Sequence, residues 1–236
     1  MTGASSGIGR EFARRLAADG HRVIAVARRE DRLRSLLAEL GPGHSRLAAD
    51  LATEPGRQQV AEVLAHQRVH LLVNNAGTAV EGCFAEVPLA RALETVRLNC
   101  DALLALAHAF LARARSGDAL LNVASTLAFA PAPGLAVYSA TKAFVASLSE
   151  ALWAEHKDRG VHVMGLCPGP TATESQPHHD TPAVLVRTPE QVVAAALDAL
   201  RRRNRPTVVP GAANRLFTAA ARTLPRRSVL TVLGGT

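Results

Sequence analysis

Tyr138 and Lys142, in the stretch YSATK, stand four residues apart. On a helix they lie on one face, one turn from each other. A neighbouring ammonium favours phenolate and lowers a phenol's pKa, so Tyr138 can exchange a proton with a substrate oxygen near neutral pH. An arginine would bring charge without lysine's compact, adjustable donors. Tyr138 is the only tyrosine in the chain, and the only lysine besides Lys142 is Lys157. Ser125 closes the apolar run LLNVAS thirteen residues before Tyr138. Its hydroxyl either donates to the same substrate oxygen or caps a turn. Asn99, in TVRLN, falls inside a long helical pattern where asparagine is disfavoured. It holds a water, marks a backbone bend, or is an exposed polar position.

A second group of residues suits a nucleotide. In TGASSGIG, Gly3 permits a tight turn, Gly7 a close approach to pyrophosphate, and Gly9 tight helix packing. The phosphates would rest on the N-terminus of the following helix, where free N–H groups and the dipole favour negative charge. About 20 residues on, where an acidic residue would read a ribose 2′-hydroxyl, stand Ala27, Arg28 and Arg29. Arginine there suits a 2′-phosphate, or the pair simply opens a solvated helix. Asp50 ends the next strand and could reach the adenine edge. NNAG, at 74–77, ends the strand after that, on the usual ligand side of a parallel sheet.

These residues need a frame. Apolar runs at 22–27, 45–49, 69–74, 118–124, 161–167 and 206–210 read as strands, several of them apolar enough to be buried on both faces. Helical patterns lie between: Ile8–Ala18, Asp31–Leu40, Glu54–His66, the long and breakable Leu89–Arg115, Ala136–Asp158 and Pro189–Arg202. The alternation predicts an α/β fold, a doubly wound parallel sheet covered on both faces. The chain divides into a domain over 1–210 and a basic amphipathic extension over 211–236.

Apolar residues make up 48% of the 236, so the chain can build one sizeable core. No apolar run reaches the roughly 18 residues of a membrane span. Cys83, Cys100 and Cys167 form no CxxC pair, which argues against a disulfide framework or zinc site and for a reducing cytoplasm. The net charge of +7 is local: residues 201–236 hold eight arginines and no acid, while the rest holds 19 basic and 20 acidic residues.

At this point the chain resembles the short-chain dehydrogenase/reductase family. The matching residues are TGASSGIG at 2–9, NNAG at 74–77, Asn99, Ser125, Tyr138 with Lys142, and Pro168–Gly169. The resemblance implies a Rossmann-type domain with a seven-stranded sheet that binds NAD(P)(H). It implies Tyr138 as general acid/base, with Lys142 depressing its pKa and binding the nicotinamide ribose. Ser125 would orient the carbonyl and Asn99 hold a relay water. Gly3, Ser5, Ser6, Gly7, Ile8 and Gly9 would hold the phosphates, with Arg28, Arg29, Asp50 and Leu51 near the adenosine. Asn75, Ala76 and Gly77 would border the cofactor, Pro168 and Gly169 line the nicotinamide, and Thr171 and Thr173 lie beside it. NADP(H) is the preferred cofactor, with NAD(H) possible. The chain departs from the family in having Met164 where asparagine is common, and in its long basic tail.

The substrate should meet Thr78–Phe84, Thr126–Leu135 and a lid over 170–187. Ala79, Val80, Leu127, Phe129, Pro131 and Leu135 make that surface apolar; Glu81, Glu174, His178, His179 and Arg187 are its polar exceptions. The expected reaction interconverts a lipophilic ketone and a secondary alcohol. The alternative is a truncated or non-catalytic relative with impaired nucleotide binding. No metal site is expected, since nothing completes His178–His179, and no nucleic-acid motif is present. In the tail, Leu216, Ala220 and Leu224 share one helical face, with Arg215 and Arg222 opposite. Packing of that face on the body or a second subunit of a homo-oligomer is favoured over contact with a membrane surface.

Only Met1 precedes Thr2, so the strand that should feed the glycine turn is absent. Its neighbours would be left with unpaired N–H and C=O groups, at roughly 1–3 kcal/mol each, against a total stability of about 5–15 kcal/mol. The sequence therefore predicts a true start upstream of Met1, with a GTG valine codon read as the start.

Overall fold

The computed structural model describes residues 1–174 and 182–234. Six short strands alternate with helices. They are β1 (Ile24–Ala27), β2 (Ser45–Ala48), β3 (Leu71–Asn74), β4 (Ala119–Val123), β5 (His162–Leu166) and β6 (Thr207–Val208). All named pairings are parallel. The expected seven-stranded sheet is replaced, among the described residues, by two ladders: β1 with β2, and β3-β4-β5-β6 in that order.

Residues 1–4 lie between the two ladders. Thr2 bridges Val26 in parallel. The Thr2 N–H donates to Val73 O at 3.0 Å, and Met1 O accepts from the Val26 N–H at 2.9 Å. This short piece thus occupies a central position, beside both β1 and β3.

Consecutive strand residues point to opposite faces. Val73, Leu121 and Met164 join Phe12, Leu33 and Val192 in one core. Leu72, Leu120 and Val163 join Val60, Leu106 and Phe110 in the other. The first core lies under α1 (Gly7–Ala18), α2 (Glu30–Leu40) and α7 (Pro189–Arg202); the second lies under α3 (Glu54–His66) and α5 (Leu103–Leu111). Met164 is fully buried, so its departure from the family pattern is answered by apolar packing. Local chemistry sets the helix starts. Thr53 caps α3 by accepting from the Gly56 N–H, and Thr188 with Gln191 forms a capping box on α7, each with proline in the first turn.

The long helix expected over Leu89–Arg115 is broken. It consists of α4 (Leu89–Val96), a π-helical turn over Arg97–Ala102 and α5. Asn99 sits in that π turn, a feature common at functional sites. Tyr138 and Lys142 both lie on α6 (Ala136–His156).

The tail forms α8 (Ala212–Thr223) and α9 (Arg226–Gly234). Its apolar stripe does not pack on the body. Leu216 and Leu224 are 73% and 52% exposed. The body contacts run instead through Asn214, Thr218 and Ala221, which are buried, with Phe217 and Val229 packed beside Ala130. Arg222, expected on the solvent face, lies over the Phe129 ring and beside Glu150. The buried face is that of the hydrogen-bonding and small residues. Asn214 donates to Leu185 O and Pro210 O at 3.0 and 3.2 Å. Among the described residues no helix is long and apolar enough to cross a membrane.

Gly9 is packed tightly against the glycine turn. A Cβ there would lie 2.1 Å from Gly3 O, a backbone atom that cannot swing aside. Gly9→Ala is therefore expected to destabilise the chain by about 1–3 kcal/mol or more, seen as a lower midpoint in urea unfolding; an unchanged midpoint would contradict this packing.

Candidate functional site

The glycine turn leads directly into α1. Gly3 and Gly7 take φ of 66° and 53°, the left-handed region that favours glycine. A Cβ on Gly3 would press on Asn75 and Ala76, and one on Gly7 would meet Thr173 Cγ2 at 3.0 Å. The turn thus fits closely between the 74–77 segment and the chain after β5. Ser6 occupies the N-cap without a side-chain cap, and the first turn carries no acid. That leaves the positive end of α1 available to an anion. This end of the site suits a pyrophosphate by geometry and by charge.

The two arginines after β1 differ in their partners. Arg28 Nη1 lies 3.6 Å from Glu94 and 4.0 Å from Asp50, so two carboxylates share its charge. Arg29 reaches back over the turn and donates to Ser5 Oγ and Ser6 Oγ, both at 3.0 Å. Arg32, on α2, forms an ion pair with Glu174, which ties α2 to the segment following β5. That pairing holds the Glu174 carboxyl below its usual range. Asp50 Oδ1 accepts from the Ala52 N–H. Leu51 is buried in the core beneath α3 and α5, so only its backbone can border a ligand. Ile8 packs partly against the opposite core.

The second half of the site forms at the carboxyl ends of β3 and β4. Lys142 is buried, and its Nζ donates to Val123 O at 2.8 Å. Burial draws its pKa down to about 8. The ammonium lies 5.5 Å from the centre of the Tyr138 ring. Burial also acts on Tyr138, pushing the phenol up, against an opposing hydrogen bond from Ser125. The expected depression of this phenol by Lys142 does not appear: burial raises it, and the opposing influence is the Ser125 hydrogen bond. Ser125 takes the turn-cap role of its two sequence readings and also meets Tyr138. It bonds Tyr138, and it caps the short 3₁₀ turn Thr126–Ala128 by accepting from the Leu127 N–H at 3.2 Å.

Asn99 is buried and anchored. Its Oδ1 accepts from the Thr78 N–H at 2.9 Å, and its Nδ2 donates to Thr78 O at 2.9 Å and Thr141 Oγ1 at 3.0 Å. Both amide hydrogens are used, which leaves one lone pair of Oδ1 for a further partner. Gly77 lies directly over this group. A Cβ there would come within 3.1 Å of Asn99 Oδ1 and 3.5 Å of Lys142 Nζ. Asn99, Lys142 and Gly77, named from separate motifs, are thus in contact range.

Pro168 and Gly169 complete the wall. Pro168 O accepts from the Thr126 N–H at 2.9 Å, which ties the turn after Ser125 to the segment after β5. Thr171 Oγ1 donates to Gly169 O at 3.0 Å. His178 and His179, with the rest of 175–181 in the expected lid, lie outside the described residues.

Two supporting residues escaped the sequence reading. Thr2 Oγ1 accepts from the Asn75 and Ala76 N–H groups at 3.0 and 3.1 Å. Thr141 accepts from Asn99 and donates to Tyr138 O at 2.8 Å. Each is a threonine next to a residue already named, which was the only signal available.

The chain was compared with known proteins. The profile of the short chain dehydrogenase family matches residues 1–182. A very-long-chain 3-oxoacyl-CoA reductase of Phaeosphaeria nodorum is 35% identical over 93% of the chain, which spans 66% of that longer protein. Among solved structures, a short-chain dehydrogenase from Sphingobium yanoikuyae in complex with NADPH superposes with a TM-score of 0.84. It is 34% identical over 92% of this chain and 89% of its own. A bulky-bulky ketone specific alcohol dehydrogenase from Comamonas testosteroni gives a TM-score of 0.81 at 31% identity, over 94% of this chain and 90% of its own. With the family profile matching most of its length, and with relatives of this identity and coverage, the chain belongs to the short-chain dehydrogenases.

Proposed function

We propose that this chain is an NADP(H)-preferring oxidoreductase that interconverts a lipophilic ketone and a secondary alcohol. The observation that carries the reading is the grouping of Ser125, Tyr138 and Lys142 at the carboxyl ends of β3 and β4, on the same side as the uncapped start of α1. When bound, the nicotinamide supplies or accepts the hydride.

The residues do the rest. In the reducing direction the carbonyl oxygen accepts from Ser125 and Tyr138. A phenol raised by burial is protonated at neutral pH, which suits the acid that must deliver a proton to the forming alkoxide. The buried Lys142 ammonium then faces the phenolate left behind, and below about pH 8 it is charged. In this reading Lys142 also holds the nicotinamide ribose; its Nζ lies beneath Gly77, which supports that role. Asn99 and Thr141 hold Thr78 and the backbone of Tyr138 in register.

Arg29 is the reader of the 2′-phosphate in this proposal. It already bridges two hydroxyls of the phosphate turn, and among the described residues no carboxylate is hydrogen-bonded to it, whereas Arg28 is shared between Asp50 and Glu94. The NADPH complex of the Sphingobium relative supports the cofactor choice. The Comamonas ketone-specific dehydrogenase and the fungal acyl-CoA reductase support a large apolar substrate.

Two experiments test this. Tyr138→Phe should lower ketone reduction about 10²–10⁴-fold with little change in the NADPH Kd measured by fluorescence; retained turnover would remove the central assignment. Arg29→Ala should weaken NADPH binding about tenfold or more, the scale of a lost charge-assisted bond, and leave NADH binding nearly unchanged. A wild-type chain that prefers NADH would overturn the cofactor reading.

A further inference from the structure

The tail meets the body at a defined place, the segment that leaves Ser125. This backbone makes a 3₁₀ turn through Ala128, with the Phe129 N–H bonded to Thr126 O at 3.0 Å. Its near end is fixed by Ser125 and by the Thr126 bond to Pro168 O. Its far end packs in part against Val145, Ala146 and Cys167, and the tail supplies further restraint. Arg226 Nη1 donates to Phe129 O at 2.8 Å. The Arg222 guanidinium stands 4.1 Å from the centre of the Phe129 ring, a cation–π distance. Ala130 is fully buried against Ala221 and Val229.

Packing alone does not hold Phe129. It lines a cavity of about 380 Å³, shared with Val208, Thr218 and Arg222. On that side there is room for the ring and its backbone to retreat. What opposes retreat is Arg222, itself held by Glu150 at 3.3 Å. Glu150 also accepts from Thr207 Oγ1 at 2.7 Å, so the restraint is anchored to α6 and β6.

We infer that Arg222 and Arg226 are positioning residues for substrate: from behind, they clamp the Phe129 segment that walls the site beyond Ser125, and so set the size of ketone the site accepts. This rests on the oxidoreductase reading above. Neither arginine touches the reacting atoms. Their effect is to keep the cavity behind Phe129 from becoming part of the substrate site.

The test compares wild type, Arg226→Ala and Arg226→Lys with one small and one bulky ketone, following NADPH oxidation, together with hydrogen exchange of the backbone over 126–131. The clamp predicts faster exchange over 126–131 in Arg226→Ala, while residues 1–10 are unchanged. It predicts a shift of about three- to tenfold in the ratio of KM values for the two ketones, with kcat within about twofold, and a return toward wild type in Arg226→Lys, which keeps one donor. Unchanged exchange over 126–131 would overturn the clamp. So would an equal loss with both ketones accompanied by weaker NADPH binding, the mark of general loosening. If the wild-type chain reduces neither ketone, the oxidoreductase reading fails, and the exchange measurement alone then decides whether the tail holds Phe129.

Discussion

The whole site depends on one backbone junction, where residues 2–4 meet the 74–77 turn. The Asn75 side chain donates to Thr2 O and Gly3 O, and Thr2 Oγ1 accepts from two N–H groups of the turn. On the other side, Ala4 N–H donates to Val26 O. The two ladders share no direct strand pairing. This junction therefore carries the geometric relation between β1, which leads to Arg28 and Arg29, and β3, which leads to Gly77 and the catalytic group. It must be made of backbone and small side chains, because Gly3, Gly9 and Asn75 approach too closely for anything larger. Each bond is worth only about 0.5–1.5 kcal/mol net, but losing one would leave a partner unsatisfied in a poorly solvated place.

A second constraint is the burial of Tyr138 and Lys142. Lys142 has a carbonyl and an aromatic ring nearby, and among the described residues no carboxylate is bonded to it. An unpaired buried ammonium is costly, and its lowered pKa expresses that cost. A carboxylate partner would relieve it, and would also cancel the charge that the role proposed for Lys142 requires. The cysteines near Lys142 do not serve as counter-ions, since burial pushes Cys167 up to about 12 and also raises Cys100. The site thus gives up stability for a charge that remains available, as strained or under-compensated functional groups do elsewhere.

How much of this was legible in the sequence follows from the range of each interaction. Tyr138 and Lys142 were legible because four-residue spacing on a helix is a local property. The glycines were legible because φ and close approach act within a few residues. Asn99 was legible only as a misfit in a helix; the π turn and the bonds to Thr78 depend on α4 and α6 lying side by side. Thr2 and Thr141 were not legible, since their partners are decided by strand order and helix packing. Which face of the tail meets the body was not legible for a related reason. Its apolar stripe marked a helix face correctly, but Asn214 and Thr218 can satisfy hydrogen bonds at the body, and Leu216 cannot. Local amphipathicity says which residues share a face, and the chemistry of the receiving surface says which face is used.

The same distinction governs the arginines. Adjacent in sequence and alike in chemistry, Arg28 and Arg29 differ because α4 brings Glu94 to one and the phosphate turn brings Ser5 and Ser6 to the other. A guanidinium shared by two carboxylates has little field left to offer an anion, while one held by neutral hydroxyls keeps its full charge and some of its donors. Arg222 shows the opposite use. Its charge is met by Glu150 and its flat face is spent on Phe129, so it works as a brace. An arginine count therefore carries little meaning by itself in a chain with only two lysines. The neighbouring acids decide which arginines remain free to bind and which are committed to holding the fold in place.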